Sequence, residues 1–218
     1  MKYLNNNDVN VISSIGGGPI GGGWAAYFLS RGYSVKSYLH NYSEKHEFLK
    51  IVRTGWKSLC SLGLTEKASL DRLELCFDLE EAVEGTQFVQ ESAPEVLSLK
   101  QELYRKLDQH VPPNVIICSS TSGFMMTDIQ LKCSNAERTV VAHPFNPPYL
   151  LPLVEIVGGQ KTDKECVAWT EAFFKYIGKV PLVMNKEIPG FVATRLQEAL
   201  WREALHMVAN GEATPNQI

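Results

Sequence analysis

With 218 residues, the chain is long enough for one large core or for one domain plus part of another, and its hydrophobic and charged fractions, 44% and 21%, are ordinary for a water-soluble globular protein. A net charge of −3 gives no reason to expect nucleic acid or an anionic membrane surface as a partner. Cys60, Cys76, Cys118, Cys133 and Cys166 form no Cys-x-x-Cys pair and lie beside no ligand-like histidine, which argues against a metal site and for reduced thiols in a cytoplasmic protein.

Residues 9–24, VNVISSIGGGPIGGGW, read as strand, tight turn and helix. Gly16, Gly18 and Gly21 fit the spacing G-x-G-x-x-G. In that spacing the first glycine makes the turn, the second admits a pyrophosphate to the backbone, and the third lets helix pack closely on strand. Pro19 has no N–H to offer a phosphate, but its fixed φ suits the first turn of the helix. No charge occurs between Val9 and Ser30. The density of glycine, with Asn10, Ser13, Ser14 and Pro19, is nevertheless too polar for the ~20-residue apolar span a bilayer requires, and Lys2 alone makes a poor signal-peptide start.

Gly32 ends the first helix, and residues 33–39 alternate as a second strand. The dinucleotide fold expects an acidic residue at the end of that strand, where it holds the ribose hydroxyls; this chain has Leu39, then His40 and Asn41. Residues 44–62 form a helix whose apolar face includes Phe48, Ile51, Val52, Leu59 and Leu62. Strands follow at 72–77, 88–91, 115–119, 139–142, 153–157 and 179–184. Helices fall at 79–83, 97–110, 127–131 and 163–177. This alternation implies a Rossmann-like, doubly wound, mostly parallel α/β sheet with its ligand at the carboxyl ends of the strands. From Pro189 onward the pattern becomes one amphipathic helix, with Val192, Leu196, Ala199, Leu200 and Met207 on one face. The expected organisation is a nucleotide domain over 1–187 and, over 188–218, the first helix of an incomplete all-α domain.

Ser122, His143 and Glu155 lie on separate segments that such a sheet brings together. His143 stands at a strand end, and the proline-rich turn after it returns Glu155 beside it. A carboxylate next to an imidazole fixes its tautomer and orientation, as a general base for an alcohol proton requires. Ser122 is placed to hydrogen-bond the same hydroxyl. Taken singly, these residues read as a strand-end histidine, a helix cap and a solvated charge; together, downstream of a nucleotide loop, they favour a dehydrogenase.

The motifs STSG at 120–123, HPFNPPYLLPLVEIVGG at 143–159 and PGFVATRLQEALWREALH at 189–206 resemble the 3-hydroxyacyl-CoA dehydrogenase family over nearly the whole chain. QESAPE at 90–95 and HPFNPPYLLPLVE are most similar to the branch that oxidises carnitine, with the gulonate and lambda-crystallin branch near it. The resemblance implies NAD as cofactor and a small 3-hydroxy acid, carnitine or a relative, as substrate. His143 is then the base, Glu155 its orienting partner, and Ser122 a hold on the substrate oxygen. Glu95, Lys100 and Asn146 match positions that contact the ribose and nicotinamide. A helical domain in this family closes over the substrate and carries a homodimer interface.

Three departures stand out. Leu39 occupies the cofactor-binding position of the ribose acid, and loss of such a charged hydrogen bond costs about 1.5–3 kcal/mol, so Leu39→Asp is expected to tighten NAD binding. NADP use would draw on His40 or Lys45. Thr194 replaces the asparagine of the family's PGF-x-x-N-R motif, and losing that amide near the reacting oxygen is expected to cost about 10²-fold in rate. Finally, without the rest of a helical domain, the face around Leu196, Leu200 and Met207 is expected to be exposed.

Overall fold

The computed structural model describes residues 2–218. An eight-stranded sheet runs through the centre in the order β3-β2-β1-β4-β5-β6-β7-β8. The strands β1 (Val11–Ile15), β2 (Ser34–Tyr38), β3 (Leu73–Cys76), β4 (Phe88–Glu91), β5 (Ile116–Ser119) and β6 (Thr139–Pro144) are parallel. β7 (Leu153–Gly158) returns antiparallel to β6, and β8 (Val180–Val183) runs parallel to β7. The expected doubly wound, mostly parallel architecture is therefore present.

Helices cover both faces, so inner strands have no wet side. Every residue of β4, β5 and β6 is buried, whereas β8 at the edge alternates between exposed and half-buried. The period of two along each strand then divides the core. Ile12, Phe88, Cys118 and Val140 join the layer under α1 (Pro19–Ser30), α2 (Lys45–Leu62) and α6 (Lys164–Tyr176). Ile15, Val89, Ile117 and Val141 join the opposite layer, under α3 (Leu79–Val83), α4 (Leu97–His110) and α5 (Met126–Ile129). The first layer is strongly aromatic: Trp24 stacks on Phe28 at 5.2 Å, and Phe88 meets Phe173 at 4.5 Å.

α1 lacks a polar stripe because it has no solvent side; Gly21 through Ser30 are all buried. A Cβ on Gly22 would press on Ile51 of α2, and one on Gly23 would lie 2.7 Å from Pro148, so these glycines let the helix fit between α2 and the 145–152 turn.

The observed elements depart from periodicity where tertiary contacts decide. β6 extends past residue 142 to Pro144 because β7 continues the ladder, pairing His143 with Glu155 and Pro144 with Val154. The last helix, α7 (Ala193–Ala209), starts later than Pro189, because Gly190 and Phe191 take positive φ values of 72° and 49° that a right-handed helix cannot include. Phe191 is instead fully buried in the second layer of the core. No residue of α7 is buried, and Leu196, Leu200 and Trp201 stand exposed. Among the described residues no helix is long and apolar enough to cross a membrane. All five cysteines are free.

Candidate active site

The carboxyl ends of β1, β4, β5 and β6 lie along one edge of the sheet. At β1, Gly16 takes φ 124°, and a side chain there would collide with the Ser92 carbonyl after β4. A Cβ on Gly21 would collide with the Gly16 carbonyl, whereas nothing lies within 4 Å of one on Gly18. Two of the three glycines thus close the turn and the middle one leaves it open. Gly18 is the N-cap of α1, Pro19 is its first residue, and no side chain caps the helix start. The open backbone and uncapped N–H groups fit the pyrophosphate of a dinucleotide.

At the end of β2, Leu39 is fully buried and its N–H donates to the Cys76 carbonyl at 3.0 Å. It belongs to the apolar layer under α1. The sequence places Leu39 facing the ribose; in the structure its side chain has no surface to offer there.

The ends of β4 and β5 hold a network that pattern reading missed. Glu91, fully buried, accepts from the Lys100 ammonium at 2.6 Å, the Ala93 N–H at 2.6 Å and the Ser119 hydroxyl at 2.6 Å. Lys100 is 1% exposed; it also donates to the Ala93 carbonyl at 3.1 Å and is ion-paired with the Glu95 carboxylate at 3.4 Å. Lys100, read from sequence as a cofactor contact, is a buried brace between Glu91 and the Ala93 carbonyl, ion-paired with Glu95. Glu95 stays largely exposed and accepts from the Ser122 N–H at 3.0 Å and from the Thr121 hydroxyl. The only sequence signal for Glu91 is a charge ending an apolar run, FVQE, which reads as the tail of a short strand.

At β6 and β7, the cross-strand pair His143 and Glu155 brings Nδ1 within 2.8 Å of Oε2. An ionised carboxylate only accepts, so Nδ1 carries the proton and Nε2 is left as the basic nitrogen. The other oxygen of Glu155 accepts the Val192 and Ala193 N–H groups, at 3.0 and 2.9 Å, at the start of α7. Burial raises a carboxyl pKa; here the bond from His143, with the two N–H groups and the imidazole's charge, outweighs burial and holds Glu155 below its ordinary value. His143 itself is 9% exposed, with the rings of Phe191 and Phe145 centred 5.7 and 5.8 Å from it. Phe191 is a second residue that sequence reasoning passed over; its signal was the PGF turn.

These groups form a nearly continuous run. Thr194, one residue past the Ala193 N–H that binds Glu155, donates its hydroxyl to the Ser122 carbonyl at 3.1 Å, and Ser122 leads through Glu95 to Lys100 and Glu91. The Ser122 side chain is exposed, and among the described residues its hydroxyl has no partner. Asn146 is exposed in the turn after β6 and takes no part in the run. The edge therefore carries an anion cradle, a braced pair of loops and an oriented imidazole with one free nitrogen, an arrangement suited to taking a proton from an alcohol beside a bound dinucleotide.

Comparison with known proteins bears on the family and the fold. The profile of the family described as "3-hydroxyacyl-CoA dehydrogenase, NAD binding domain" matches residues 11–188. An L-carnitine dehydrogenase of Streptomyces coelicolor is 52% identical over 97% of this chain and 66% of its own length. Among solved structures, a 5-formyl-3-hydroxy-2-methylpyridine 4-carboxylic acid 5-dehydrogenase, described as an NAD+-dependent dismutase, superposes with a TM-score of 0.89 at 33% identity. That match covers 96% of this chain and 68% of the other. The (S)-3-hydroxybutyryl-CoA dehydrogenase of Ralstonia eutropha gives a TM-score of 0.87 at 29% identity, covering 97% of this chain and 75% of the other. The chain spans about two thirds of the length of the curated relatives it matches.

Proposed function

The chain belongs to the 3-hydroxyacyl-CoA dehydrogenase family, whose NAD-binding domain it carries, and from that premise we propose that it oxidises the 3-hydroxyl of a small hydroxy acid, carnitine, with NAD as acceptor. The observation that carries the reading is the His143–Glu155 pair, held at 2.8 Å on the edge of the sheet that bears the glycine cradle.

In this reading Nε2 of His143 accepts the hydroxyl proton while Glu155, fixed by two backbone N–H groups, keeps the ring in place and stabilises the imidazolium that forms. The Ser122 hydroxyl, free of other partners, holds the substrate oxygen. NAD, when bound, takes up the hydride; Gly16, Gly18 and Gly21 receive its pyrophosphate, and Glu95 and Asn146, both exposed near the strand ends, contact its ribose and nicotinamide side. Carnitine is supported by the 52% identity to an L-carnitine dehydrogenase and by the half-exposed ring of Phe145 next to His143, an aromatic face of the kind that attracts a trimethylammonium. Residues 188–218 belong, in the same reading, to a helical domain whose apolar contact face on α7 includes Leu196 and Leu200 and takes part in a homodimer.

A second reading, a catalytically weakened nucleotide-binding protein acting through a partner chain, draws on Thr194, whose hydroxyl is turned to the Ser122 carbonyl and which has no amide to offer a reacting oxygen. The two separate in one experiment: NADH formation from carnitine, gulonate and 3-hydroxybutyryl-CoA, measured beside NADH binding. Turnover greatest with carnitine supports the proposal. Binding without turnover of any of the three supports the second reading.

A further inference from the structure

The ribose position raises a question that Leu39 does not answer, because that side chain is buried and apolar. A carboxylate nevertheless stands at the same place, delivered from the following turn. A Cβ built on Gly17, the middle residue of the glycine turn, would collide with Oε2 of Glu44 and lie 3.2 Å from Cδ2 of Leu39. Glu44 and Leu39 therefore meet over one face of Gly17, and of the two Glu44 is the more exposed, half-buried where Leu39 is fully buried.

We propose that Glu44 supplies the ribose-binding carboxylate missing at position 39, accepting the hydroxyls of the adenosine ribose and excluding a 2′-phosphate. The assignment rests on the NAD reading above and concerns the same cleft. Glu44 lies where the helical turn of residues 42–44 runs into α2, its own backbone is already helical, and its side chain makes no capping bond. Among the described residues its carboxylate has no hydrogen-bond or ion-pair partner either, so both oxygens remain free to accept. Glu44 closes the short helical turn of residues 42–44, and its side chain reaches the glycine turn at Gly17.

The two basic side chains that NADP use would draw on each face a tyrosine. The Lys45 ammonium lies 5.2 Å from the Tyr42 ring centre, with its nearest hydrogen-bond partner the Tyr42 hydroxyl, and His40 Nδ1 faces the Tyr38 hydroxyl at 3.4 Å. A phosphate on the ribose 2′ oxygen would meet the Glu44 carboxylate, with both charges negative.

The test is binding of NADH, NADPH and NADH lacking the adenosine 2′-hydroxyl to the 218-residue chain and to Glu44→Gln and Glu44→Ala, each checked for an unchanged melting temperature. Wild type is expected to favour NADH over the other two. In Glu44→Gln, NADH affinity should fall about 10- to 100-fold, removal of the 2′-hydroxyl should now cost less than about twofold, and the preference over NADPH should shrink. NADH affinity equal to wild type in both variants, or an undiminished penalty for the missing 2′-hydroxyl, would overturn the role of Glu44. Failure of the wild-type chain to bind NADH at all would instead overturn the NAD reading, and this assignment with it.

Discussion

Two buried carboxylates stand in this sheet, Glu91 at the end of β4 and Glu155 within β7 opposite the end of β6, and each accepts three donors, yet their surroundings differ in one respect. Glu91 faces an ammonium that donates to Glu91 and to the Ala93 carbonyl and is ion-paired with Glu95. Glu155 faces an imidazole that spends one nitrogen on the bond and keeps the other. A lysine inside a closed network has nothing left with which to react, whereas a histidine in an equally tight pair does, since imidazole has two distinct nitrogens. Buried charge alone therefore marks structure; a buried charge that orients a group with a free lone pair marks chemistry.

Removing one member of each pair should break that symmetry most sharply. His143→Ala is expected to lower turnover of carnitine about 10²- to 10⁴-fold while NADH binding by fluorescence titration changes little; turnover equal to wild type would remove His143 from the reaction. Lys100→Met leaves Glu91 buried and uncompensated and should cost about 3–5 kcal/mol of folding stability, a fall of about 6–20 °C in melting temperature for a chain of this size. The double variant Glu91→Leu/Lys100→Met should regain most of that loss. A Lys100→Met protein that melts with wild type would show that the network is not a brace.

Smaller effects sharpen the comparison. Thr194→Asn restores an amide beside Ser122 and is expected to raise turnover about 10-fold; no gain in steady-state assays would mean that the Thr194 hydroxyl already suffices. Acid should act on the Glu155 pair with a definite sign. Because folding holds its carboxyl below the ordinary value of 4.5, the stability it contributes is complete above that value and is lost as pH falls through the lower folded value. Denaturant unfolding of wild type and Glu155→Gln across about pH 6 to pH 3 should therefore converge as the pH drops; curves that stay parallel would deny the shift.

Much of this architecture was legible from periodicity, for a physical reason. Parallel strands buried on both faces must be apolar throughout, and Gly16 and Gly21 answer to collisions that any side chain would cause, while Gly18 leaves the turn open. What escaped was decided across the sheet. The extension of β6 to Pro144 depends on β7, and the start of α7 depends on the left-handed backbone at Gly190 and Phe191. Leu39 is the clearest case: by spacing it occupies the ribose position, and the sequence alone predicts a gain from Leu39→Asp. In the structure that substitution puts a carboxylate into an apolar layer, so a loss of stability replaces the expected gain in affinity. Glu44, five residues on, was invisible because nothing in local spacing says that a turn will fold its side chain back over Gly17.

The central claim, an imidazole fixed by Glu155 with its other nitrogen left free to act beside NAD when NAD is bound, is most directly tested by nitrogen NMR of the His143 ring with and without NADH. A protonated Nδ1, an unprotonated Nε2 in the neutral ring, and a displaced Nε2 resonance when NADH is added are the expected results. A proton resident on Nε2, or a ring that does not respond to bound NADH, would contradict it.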